Sequence, residues 1–422
     1  MRVAYNLLLV LGLLLSLPSI LWKAFKYKKY RGNFLQRLGL KLPAFPSIKG
    51  PSIWIHGVSL GETKAATPLI KKIHQERPGI SLVFSSSTET GLQEGQKNLP
   101  FCVSHFLLPL DFSWTMKKLS QKIKPGYLIL VEGDFWYNLM QTSPSVILIN
   151  GKISEKSAKR FRFFSFFAKR LFSFLKLLCV QSDLYKERFC SLGISADKII
   201  VTGNLKFDQV MPKINLEEGR RKFGLTEKDQ VITLGSTHAP EEEELLEALN
   251  PLFLKFPHLK ILLVPRHPER FSSVAYLIEK KGIPFARYSD PEFLLKAKEA
   301  KVILIDAMGS LGACYQLSQI AIVAGSLGSE LGGHNIFEPV SVGTPVLFGP
   351  HMHSQKDLVD LVLSSKVGKQ VTLSELSCVV QDFLENPPLS MKKAALDLAG
   401  KMQGSTQRTW DKIKLYLNQG FC

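Results

Sequence analysis

The chain has 422 residues, 45% of them hydrophobic, which is enough apolar material for two ordinary domains and excludes a single small one. Its 54 lysines and arginines outnumber 36 aspartates and glutamates, giving a formal net charge of +18. Residues 1–215 contain 31 basic and 12 acidic side chains, so the excess lies in the first half. This asymmetry favours an anionic partner, whether nucleic acid, phospholipid or a phosphorylated substrate. The six cysteines form no CxxC pair, which argues against a zinc site or a disulfide framework.

The first predicted element is an apolar helix at the N-terminus. Val3 to Trp22 is an uncharged run, and a helix of that length is about 30 Å long, close to the thickness of a bilayer's hydrocarbon core. Basic residues follow directly at Lys23, Lys26, Lys28, Lys29 and Arg31. The positive-inside rule then leaves the rest of the chain in the cytoplasm. We therefore expect residues 1–31 to anchor the protein in a membrane, with a cleaved signal peptide or an interfacial helix as alternatives.

Alternating strands and helices follow the anchor. Predicted strands lie at 51–59, 80–88, 125–134, 145–154, 175–182, 230–238, 260–268, 302–306, 319–326 and 344–350, and helical patterns at 64–78, 240–253 and 335–343. Such alternation is typical of parallel sheets with helices on both faces. Because periodicity is lost at 207–217, we predict an α/β protein with two doubly wound, Rossmann-like domains facing a cleft, at 32–215 and 216–400. We expect a last helix within 401–422 to pack back on the first domain.

A basic and apolar stretch covers residues 156–178. Its apolar side chains recur at helical spacing, at Phe161, Phe164, Ala168, Leu171, Leu175 and Leu178, and lysines and arginines interrupt them. This pattern predicts a helix that lies on an anionic membrane surface. The alternative is a helix whose apolar side faces the core and whose basic side faces water.

Acidic residues follow two predicted strands of the first domain. Glu62 lies in the first turn of a predicted helix, where the helix dipole favours a carboxylate and keeps it ionised, as a general base must be. Glu132 and Asp134 end another strand. Two carboxylates alone make a poor metal site, so contact with a substrate is the favoured interpretation.

Two further groups lie in the second domain. Arg266 and His267 follow an apolar strand, and an arginine there suits a phosphate or carboxylate. The run Glu241 to Glu244 is predicted to lie on a solvated helix face. The glycine-rich segment 324–339 joins a strand to a helix, which is the arrangement that lets backbone amides approach a phosphate. Asn335 and Glu338 also fit a capping box without any ligand.

The segments HGVSLGE, VEGDFWYN, GNLKFD, GSTHAPEEE, VPRHPERF, DAMGSL and GGHNIFEP occur in this order across the chain. Together they closely resemble the bacterial 3-deoxy-D-manno-octulosonic acid (Kdo) transferases over roughly residues 1–420. The resemblance implies a GT-B glycosyltransferase with an acceptor-binding first domain and a CMP-Kdo-binding second domain. It also implies inverting transfer of Kdo from CMP-Kdo to the lipid A precursor lipid IVA at the cytoplasmic face of the inner membrane, in lipopolysaccharide core biosynthesis. No metal, other cofactor or nucleic acid partner is implied.

The resemblance also assigns residue roles. Glu62 matches the proposed general base, and Glu132 and Lys206 match residues that stabilise the transition state. The segments that hold CMP correspond to Pro265, Arg266, Met308, Gly309, Ser310, Asn335, Ile336, Phe337 and Glu338.

Two positions depart from the family pattern. Asp134 is shorter than the glutamate usual there, and Ser310 stands where an acidic residue is common. Two alternatives stay open at the level of sequence: another GT-B enzyme using a UDP-sugar, as a transferase or an epimerase, and a non-catalytic basic protein of a membrane surface.

Overall fold

The computed structural model describes residues 1–26, 34–40, 42, 43, 45, 46, 48, 50, 52–208, 211–328, 331–353 and 355–420. The chain forms two compact units. The N-terminal unit comprises Met1–Gln209 and Gly404–Cys422, and the C-terminal unit comprises Val210–Gln403. Each unit is built around one seven-stranded parallel sheet.

The sheet of the N-terminal unit has the strand order β3-β2-β1-β4-β5-β6-β7. Its strands are β1 (Ser52–Gly57), β2 (Ser81–Ser86), β3 (Ser104–Leu107), β4 (Tyr127–Val131), β5 (Ser145–Gly151), β6 (Leu175–Val180) and β7 (Ile199–Val201). Its helices are α1 (Arg2–Lys26), α2 (Phe34–Arg37), α3 (Leu60–Glu76), α4 (Glu89–Asn98), α5 (Ser113–Ile123), α6 (Glu155–Phe163), α7 (Ser165–Phe172) and α8 (Asp183–Cys190). Every residue of β1 and β4 is buried, because apolar clusters cover both faces of the sheet.

The sheet of the C-terminal unit has the order β10-β11-β9-β8-β12-β13-β14. Its strands are β8 (Gln230–Thr237), β9 (Leu259–Pro265), β10 (Phe285–Arg287), β11 (Val302–Leu304), β12 (Ile320–Val323), β13 (Val346–Phe348) and β14 (Gly368–Gln370). Its helices are α9 (Leu216–Lys222), α10 (Glu241–Leu249), α11 (Leu252–Lys255), α12 (Phe271–Lys280), α13 (Phe293–Lys296), α14 (Leu311–Leu317), α15 (Phe337–Ser341), α16 (Lys356–Ser364), α17 (Leu373–Glu385) and α18 (Leu389–Met402). The predicted α/β class with two doubly wound parallel sheets is confirmed.

The last helix, α19 (Ser405–Gly420), belongs to the N-terminal unit. Trp410, Ile413 and Leu417 are fully or almost fully buried in the cluster that covers one face of the first sheet. Asp208 accepts hydrogen bonds from the backbone N–H groups of Gly404, Ser405 and Thr406, and so fixes the start of the helix. The core of the N-terminal unit is therefore completed by residues that follow the C-terminal unit in the sequence.

The N-terminal segment forms α1, and its first turn packs on the unit. Tyr5 donates a hydrogen bond to Asp111 Oδ2 at 2.9 Å, and its ring stacks on Phe167 of α7. Within the part of the chain that the structure describes, we find no helix whose length and apolar character suffice to span a membrane. The predicted spanning anchor over 1–31 is thus not confirmed. The basic residues Lys28, Lys29 and Arg31 of its flank lie outside the described residues.

The predicted single helix over 156–178 is wrong. The segment forms α6 and α7, separated by Phe164, and then enters β6. Four of the six predicted apolar positions, Ala168, Leu171, Leu175 and Leu178, are buried in the core. The exposed aromatic side chains are Phe163, Phe164 and Phe166, at 83%, 57% and 81% exposure. Most of the predicted stripe therefore faces the core, whereas its Phe164 faces outward together with Phe163 and Phe166.

Candidate active site

Glu62 is positioned by the turn that joins β1 to α3. Ser59 is the N-cap of α3, and its Oγ accepts a hydrogen bond from the Glu62 backbone N–H at 3.4 Å. In return, the Val58 backbone N–H donates to Glu62 Oε2 at 2.7 Å. The glutamate thus reaches back across the start of its helix, in a variant of the capping box. This geometry fixes the carboxylate at the carboxyl end of β1.

The protonation of Glu62 differs from the sequence-based expectation. Burial raises the pKa of the carboxyl above its ordinary value, and the negative charge of Glu132 raises it further. The hydrogen bond from the Val58 N–H lowers the pKa of Glu62 without cancelling this shift. Desolvation therefore outweighs the helix N-terminus, contrary to the expectation that the dipole keeps Glu62 ionised. The higher pKa makes the carboxylate a stronger base wherever the pH leaves it deprotonated.

Glu132 lies at the end of β4 and is held between two lysines. Its side chain is buried, with Lys152 Nζ 2.5 Å from Oε2 and Lys206 Nζ 2.8 Å from Oε1. Asn150 also donates to Oε1, at 3.3 Å. Burial favours the neutral acid, but the two lysines outweigh it and hold the pKa of Glu132 below its ordinary value. The backbone of Glu132 has φ of 66°, a left-handed conformation that a side chain rarely adopts and that is common at functional sites.

Asp134 has a separate set of partners. His56 Nε2 lies 3.2 Å from Asp134 Oδ2, and His56 Nδ1 lies 2.9 Å from Ser85 Oγ. Trp54 Nε1 donates to the same Ser85 oxygen at 2.8 Å. A neutral His56 that carries its proton on Nε2 satisfies the whole chain, from Trp54 through Ser85 and His56 to Asp134. Glu132 and Asp134 therefore bind different cationic or polar groups and do not converge on a shared metal position.

The glycine-rich loop of the C-terminal unit is already occupied by a carboxylate of the protein. Glu241 Oε2 accepts the N–H of Gly325 at 2.6 Å, while Oε1 accepts the N–H groups of Ser326 at 3.0 Å, Leu327 at 2.8 Å and Gly328 at 3.3 Å. Four converging amides form an anion-binding nest. For residues 325–328 the expectation that the amides approach a phosphate is wrong, because Glu241 fills the nest that they form. For the rest of the segment 324–339 it stays a prediction.

The predicted solvated face of α10 is also wrong in part. Glu241 and Glu242 are 2% and 1% exposed, and Arg270 pairs with Glu242 at 3.1 Å. Burial raises the pKa of Glu242 although Arg270 opposes the shift. Charged residues in a first helical turn are usually exposed to solvent. The sequence gives no sign that Glu241 and Glu242, two of the four glutamates in this turn, are buried.

Three imidazoles and one guanidinium meet at the carboxyl edge of the second sheet. His238 follows β8, Arg266 and His267 follow β9, and His334 follows β12. His238 Nε2 and His334 Nε2 are 2.7 Å apart, and the His267 ring is 5.1 Å from that of His238. Burial lowers the pKa of His334 to about 4, with His238 and Arg266 adding to the shift. The described residues contain no group of His, Cys, Asp or Glu arranged to hold a metal ion.

The residues predicted to hold CMP lie at the same edge of the sheet. Pro265 ends β9 and Arg266 follows it, Met308 to Ser310 follow β11, and Asn335 to Glu338 follow β12. Because β11, β9, β8 and β12 are parallel neighbours, their carboxyl ends share one edge. Met308 is 67% exposed there. The predicted capping box is wrong in detail, since Asn335 Oδ1 accepts the Phe337 N–H while its amide donates to Glu338 Oε1.

Several site residues were missed in the sequence. Asn150 lies near the end of β5, Lys152 follows that strand directly, and His56 lies near the end of β1. All three are polar residues at the carboxyl end of an apolar strand, the same signal that identified Glu132. The pairing of His238 with His334 has no such signal, because 95 residues of chain separate the two positions.

Several known proteins are similar to this chain in sequence or in fold. Residues 32–209 match the family model for 3-deoxy-D-manno-octulosonic-acid transferase (Kdo transferase). The chain is 35% identical to the 3-deoxy-D-manno-octulosonic acid transferase of Chlamydia muridarum, with 97% of this chain and 96% of that protein covered. It is 32% identical to the enzyme of the same name from Haemophilus influenzae, with 99% of each covered. The structure of UDP-GlcNAc 2-epimerase from Neisseria meningitidis matches 86% of this chain and 99% of its own, with a TM-score of 0.59 and 14% identity, which shows a GT-B-like fold.

Proposed function

The chain belongs to the 3-deoxy-D-manno-octulosonic acid (Kdo) transferase family and is a glycosyltransferase of lipopolysaccharide biosynthesis, and from this premise we propose that it moves Kdo from CMP-Kdo to lipid IVA, with Glu62 as general base. Inversion requires one displacement at the anomeric carbon. The acceptor hydroxyl loses its proton to Glu62 as it attacks that carbon, and the bond to the CMP phosphate breaks. CMP leaves with the electron pair of that bond.

One observation carries the assignment of the N-terminal unit. Lys206 Nζ lies 2.8 Å from Glu132 Oε1, although 74 positions separate the two residues in the chain. These are the two positions for which the family resemblance implies stabilisation of the transition state. Glu132 also interacts electrostatically with Glu62, the position that the resemblance assigns to the general base. The fold thus gathers all three at the carboxyl edge of one sheet.

The charges suit the proposed step. Two lysines keep Glu132 ionised, so a negative charge is fixed where positive character develops at the anomeric carbon. Glu62 lacks a lysine or arginine partner among the described ion pairs, and its raised pKa favours proton uptake during attack. One carboxylate is thus tuned to stay charged and the other to accept a proton, as in enzymes that use two acids in different roles.

The C-terminal unit supplies the proposed donor site. Arg266 is exposed at the carboxyl edge of its sheet, the edge at which the segments Met308 to Ser310 and Asn335 to Glu338 also follow their strands. The guanidinium can bind the phosphate of CMP, and Glu338 can accept hydrogen bonds from ribose hydroxyls. The departing phosphate gains negative charge during transfer, which cationic side chains in fixed positions stabilise.

The proposed acceptor is anionic and embedded in a membrane, and the N-terminal unit carries matching features. Exposed apolar side chains lie along α1, including Val3, Leu7 and Leu15. The adjacent turn between α6 and α7 exposes Phe163, Phe164 and Phe166 among lysines and arginines. We use the term phenylalanine turn for residues 163–166. These features support attachment to an anionic lipid surface, which we propose to be the cytoplasmic face of the inner membrane.

Incubation with CMP-Kdo and a tetraacylated lipid A precursor tests the proposal. Product mass spectrometry should show the acceptor heavier by one or more Kdo units, and CMP should be released in equal number. CMP-Kdo should be replaceable neither by UDP-GlcNAc nor by another UDP-sugar. Transfer from a UDP-sugar, or release of CMP without a heavier acceptor, would contradict the proposed reaction.

The two alternatives drawn from the sequence have less support. Relatives of 32% to 35% identity over nearly the whole chain are Kdo transferases, whereas the likeness to the UDP-GlcNAc 2-epimerase, at 14% identity, concerns the fold alone. A non-catalytic membrane protein has no need of a buried glutamate held ionised by two lysines.

A further inference from the structure

The second unit offers two candidate places for the phosphate of the donor. One is the nest of backbone amides at residues 325–328, and the other is the cluster of His238, His267, His334 and Arg266, which we call the imidazole cluster. Both lie at the carboxyl edge of the same sheet. The choice between them depends on which has free capacity to bind an anion.

The nest has no such capacity. All four amides donate to the carboxylate of Glu241, which is 2% exposed. A phosphate arriving there would meet a buried negative charge and would have to displace the hydrogen bonds that satisfy it. Removing a buried carboxylate from its donors is costly, because neither side recovers equivalent bonds from water in the buried loop.

The imidazole cluster has the opposite properties. His238 and His334 are half-buried, and their Nε2 atoms share one hydrogen between them at 2.7 Å. In either protonation arrangement of the neutral pair, one Nδ1 carries a proton and the other can accept one. Arg266 and His267 are exposed beside them. Only glycine fits at position 325, because a Cβ there would lie 2.8 Å from the His334 ring. The nest and the ring therefore pack directly on each other.

We propose that the phosphate of the cytidine donor binds to Arg266 and the His238–His334 pair, and that Glu241 seals the glycine-rich loop as a rigid support for His334. The inference rests on the proposed CMP-dependent function and adds three residues to its donor site. Glu241 is a positioning residue in this arrangement, because it acts through the loop and touches no substrate. The two histidines are binding residues.

The charged groups around the pair set its response to an anion. Arg266, His267 and Arg270 disfavour its protonation, and Glu241 favours it. Burial is the main reason that the pKa of both histidines is lowered, and the nearby cations add to it. A bound phosphate places negative charge beside the two histidines and so favours their protonated form. Binding of the phosphate should be coupled to the uptake of a proton by the pair. Binding of the phosphate should therefore strengthen as the pH falls.

Calorimetric titration of the full-length protein with CMP and with cytidine tests the proposal. His334→Phe keeps a planar ring against Gly325 but removes the nitrogen atoms, and should weaken CMP binding about 10- to 100-fold while cytidine binding stays unchanged. His258→Phe serves as the matched control, because this exposed histidine precedes β9 at the opposite edge of the same sheet and should leave both affinities unchanged.

A second titration uses the methyl ester of CMP, whose phosphate has no ionisation near neutral pH. Its affinity for the wild type should rise between pH 8 and pH 6, and this rise should disappear in His334→Phe. Unchanged CMP affinity in the variant, or equal losses for CMP and cytidine, would overturn the phosphate site. The same selective loss with UMP would support the phosphate site while contradicting a cytidine donor, and a wild type that binds neither nucleotide would overturn both proposals.

Discussion

Glu62 shows how burial and capping act on one side chain. The reciprocal hydrogen bonds with Ser59 and Val58 fix its position, whereas desolvation raises its pKa. A glutamate in a first helical turn is common on structural grounds alone, so the sequence pattern cannot separate a cap from a base. In this fold the two roles are compatible, because the cap uses one oxygen strongly and leaves the other with a longer contact of 3.4 Å to Ser59 Oγ.

We predict that Glu62→Gln lowers kcat by about a thousandfold or more while leaving the affinity for CMP unchanged. The amide keeps the shape and can accept the Val58 N–H, but cannot take the acceptor's proton. Single-turnover transfer assays and CMP titration measure the two quantities. If the Glu62→Gln variant kept more than about a tenth of the wild-type activity, the base would lie elsewhere, with Glu132 the next candidate.

The raised pKa of Glu62 also predicts the pH dependence of the reaction. The base is active when deprotonated, so kcat should fall with decreasing pH at a pKa above the ordinary glutamate value of about 4.5. Glu132 should not contribute to this acidic limb, because its pKa is lowered. A pH profile of kcat from pH 4.5 to 8 checks the prediction, and an acidic limb that persists in the residual activity of Glu62→Gln would contradict it.

At the scale of elements, Asp111 ties the first turn of α1 to the N-terminal unit. Its carboxyl accepts Tyr5 Oη and the backbone N–H groups of Asn138 and Leu139, all at 2.8 to 2.9 Å. Burial raises the pKa of Asp111 from 3.8 to about 7, and the three hydrogen bonds offset this only in part. The folded protein therefore holds a proton that the unfolded chain releases at lower pH.

This proton gives a stability prediction with a definite sign. Because the folded pKa is the higher one, the contribution of Asp111 is greatest below about pH 4 and is lost as the pH rises to about 7. Between pH 5 and pH 8 the wild type should lose up to about 3 kcal/mol of unfolding free energy through this group. Urea unfolding of Asp111→Asn should lack this decline, whereas Asp382→Asn, at an exposed position of α17, should retain it.

The phenylalanine turn is the second feature that belongs to this scale. Helical periodicity selected Ala168 and Leu171, which are buried in α7, together with Phe164, which is exposed, because a core-facing stripe and a lipid-facing stripe have the same spacing. The break between the two helices at Phe164 is what leaves three rings outside the core. Their exposure beside Arg160 and Lys169 suits insertion among anionic headgroups.

We predict that replacing Phe163, Phe164 and Phe166 with serine weakens binding to phosphatidylglycerol vesicles by at least tenfold without lowering the thermal stability of the protein. Vesicle co-sedimentation and thermal unfolding measure the two effects. The matched control replaces Leu254, Leu294 and Leu295 with serine, since these exposed side chains lie in the C-terminal unit. Equal losses in both triple variants would indicate a general effect of surface hydrophobicity and contradict a specific lipid-facing turn.

At the scale of the whole molecule, the sequence predicted the central strands and missed the edge strands. β3, β7, β10 and β14 were not predicted, and each lies at the edge of its sheet. Edge strands are short here, with three or four residues, and lack the long apolar runs that burial on both faces imposes on central strands. The α/β class was therefore readable from the sequence, whereas the width of each sheet was not.

The candidate site, like the fold, was predictable from the sequence only in part. Carboxyl ends of apolar strands identified Glu62, Glu132 and Arg266, because parallel strands deliver such residues to one edge. Partners across the edge were not predictable, as with Lys152 beside Glu132 or Glu241 inside the glycine-rich loop. A glycine-rich loop has the same sequence whether its amides bind a phosphate or a carboxylate of the protein. That distinction depends on which side chain the fold brings there.

The return of α19 to the N-terminal unit leads to a prediction about the whole chain. Trp410 is fully buried in the cluster that also contains Ile53, Ile55 and Leu69. Trp410→Ala should lower the unfolding free energy of the N-terminal unit by about 3 to 5 kcal/mol, although the residue follows the C-terminal unit in sequence. Hydrogen exchange should therefore accelerate in β1 and α3 and stay unchanged in β8 and β9.

Trp114→Ala is the control, because that tryptophan is 47% exposed at the start of α5. It should leave exchange in both sheets close to that of the wild type. Faster exchange in β8 and β9 of Trp410→Ala would mean that the two units unfold together, and would contradict a first unit whose core is completed by α19 independently of the second. If exchange in Trp410→Ala becomes faster only in the N-terminal unit, residues 404–420 stabilise that unit alone. The burial of Trp410, Ile413 and Leu417 in the core of that unit leads us to expect this result.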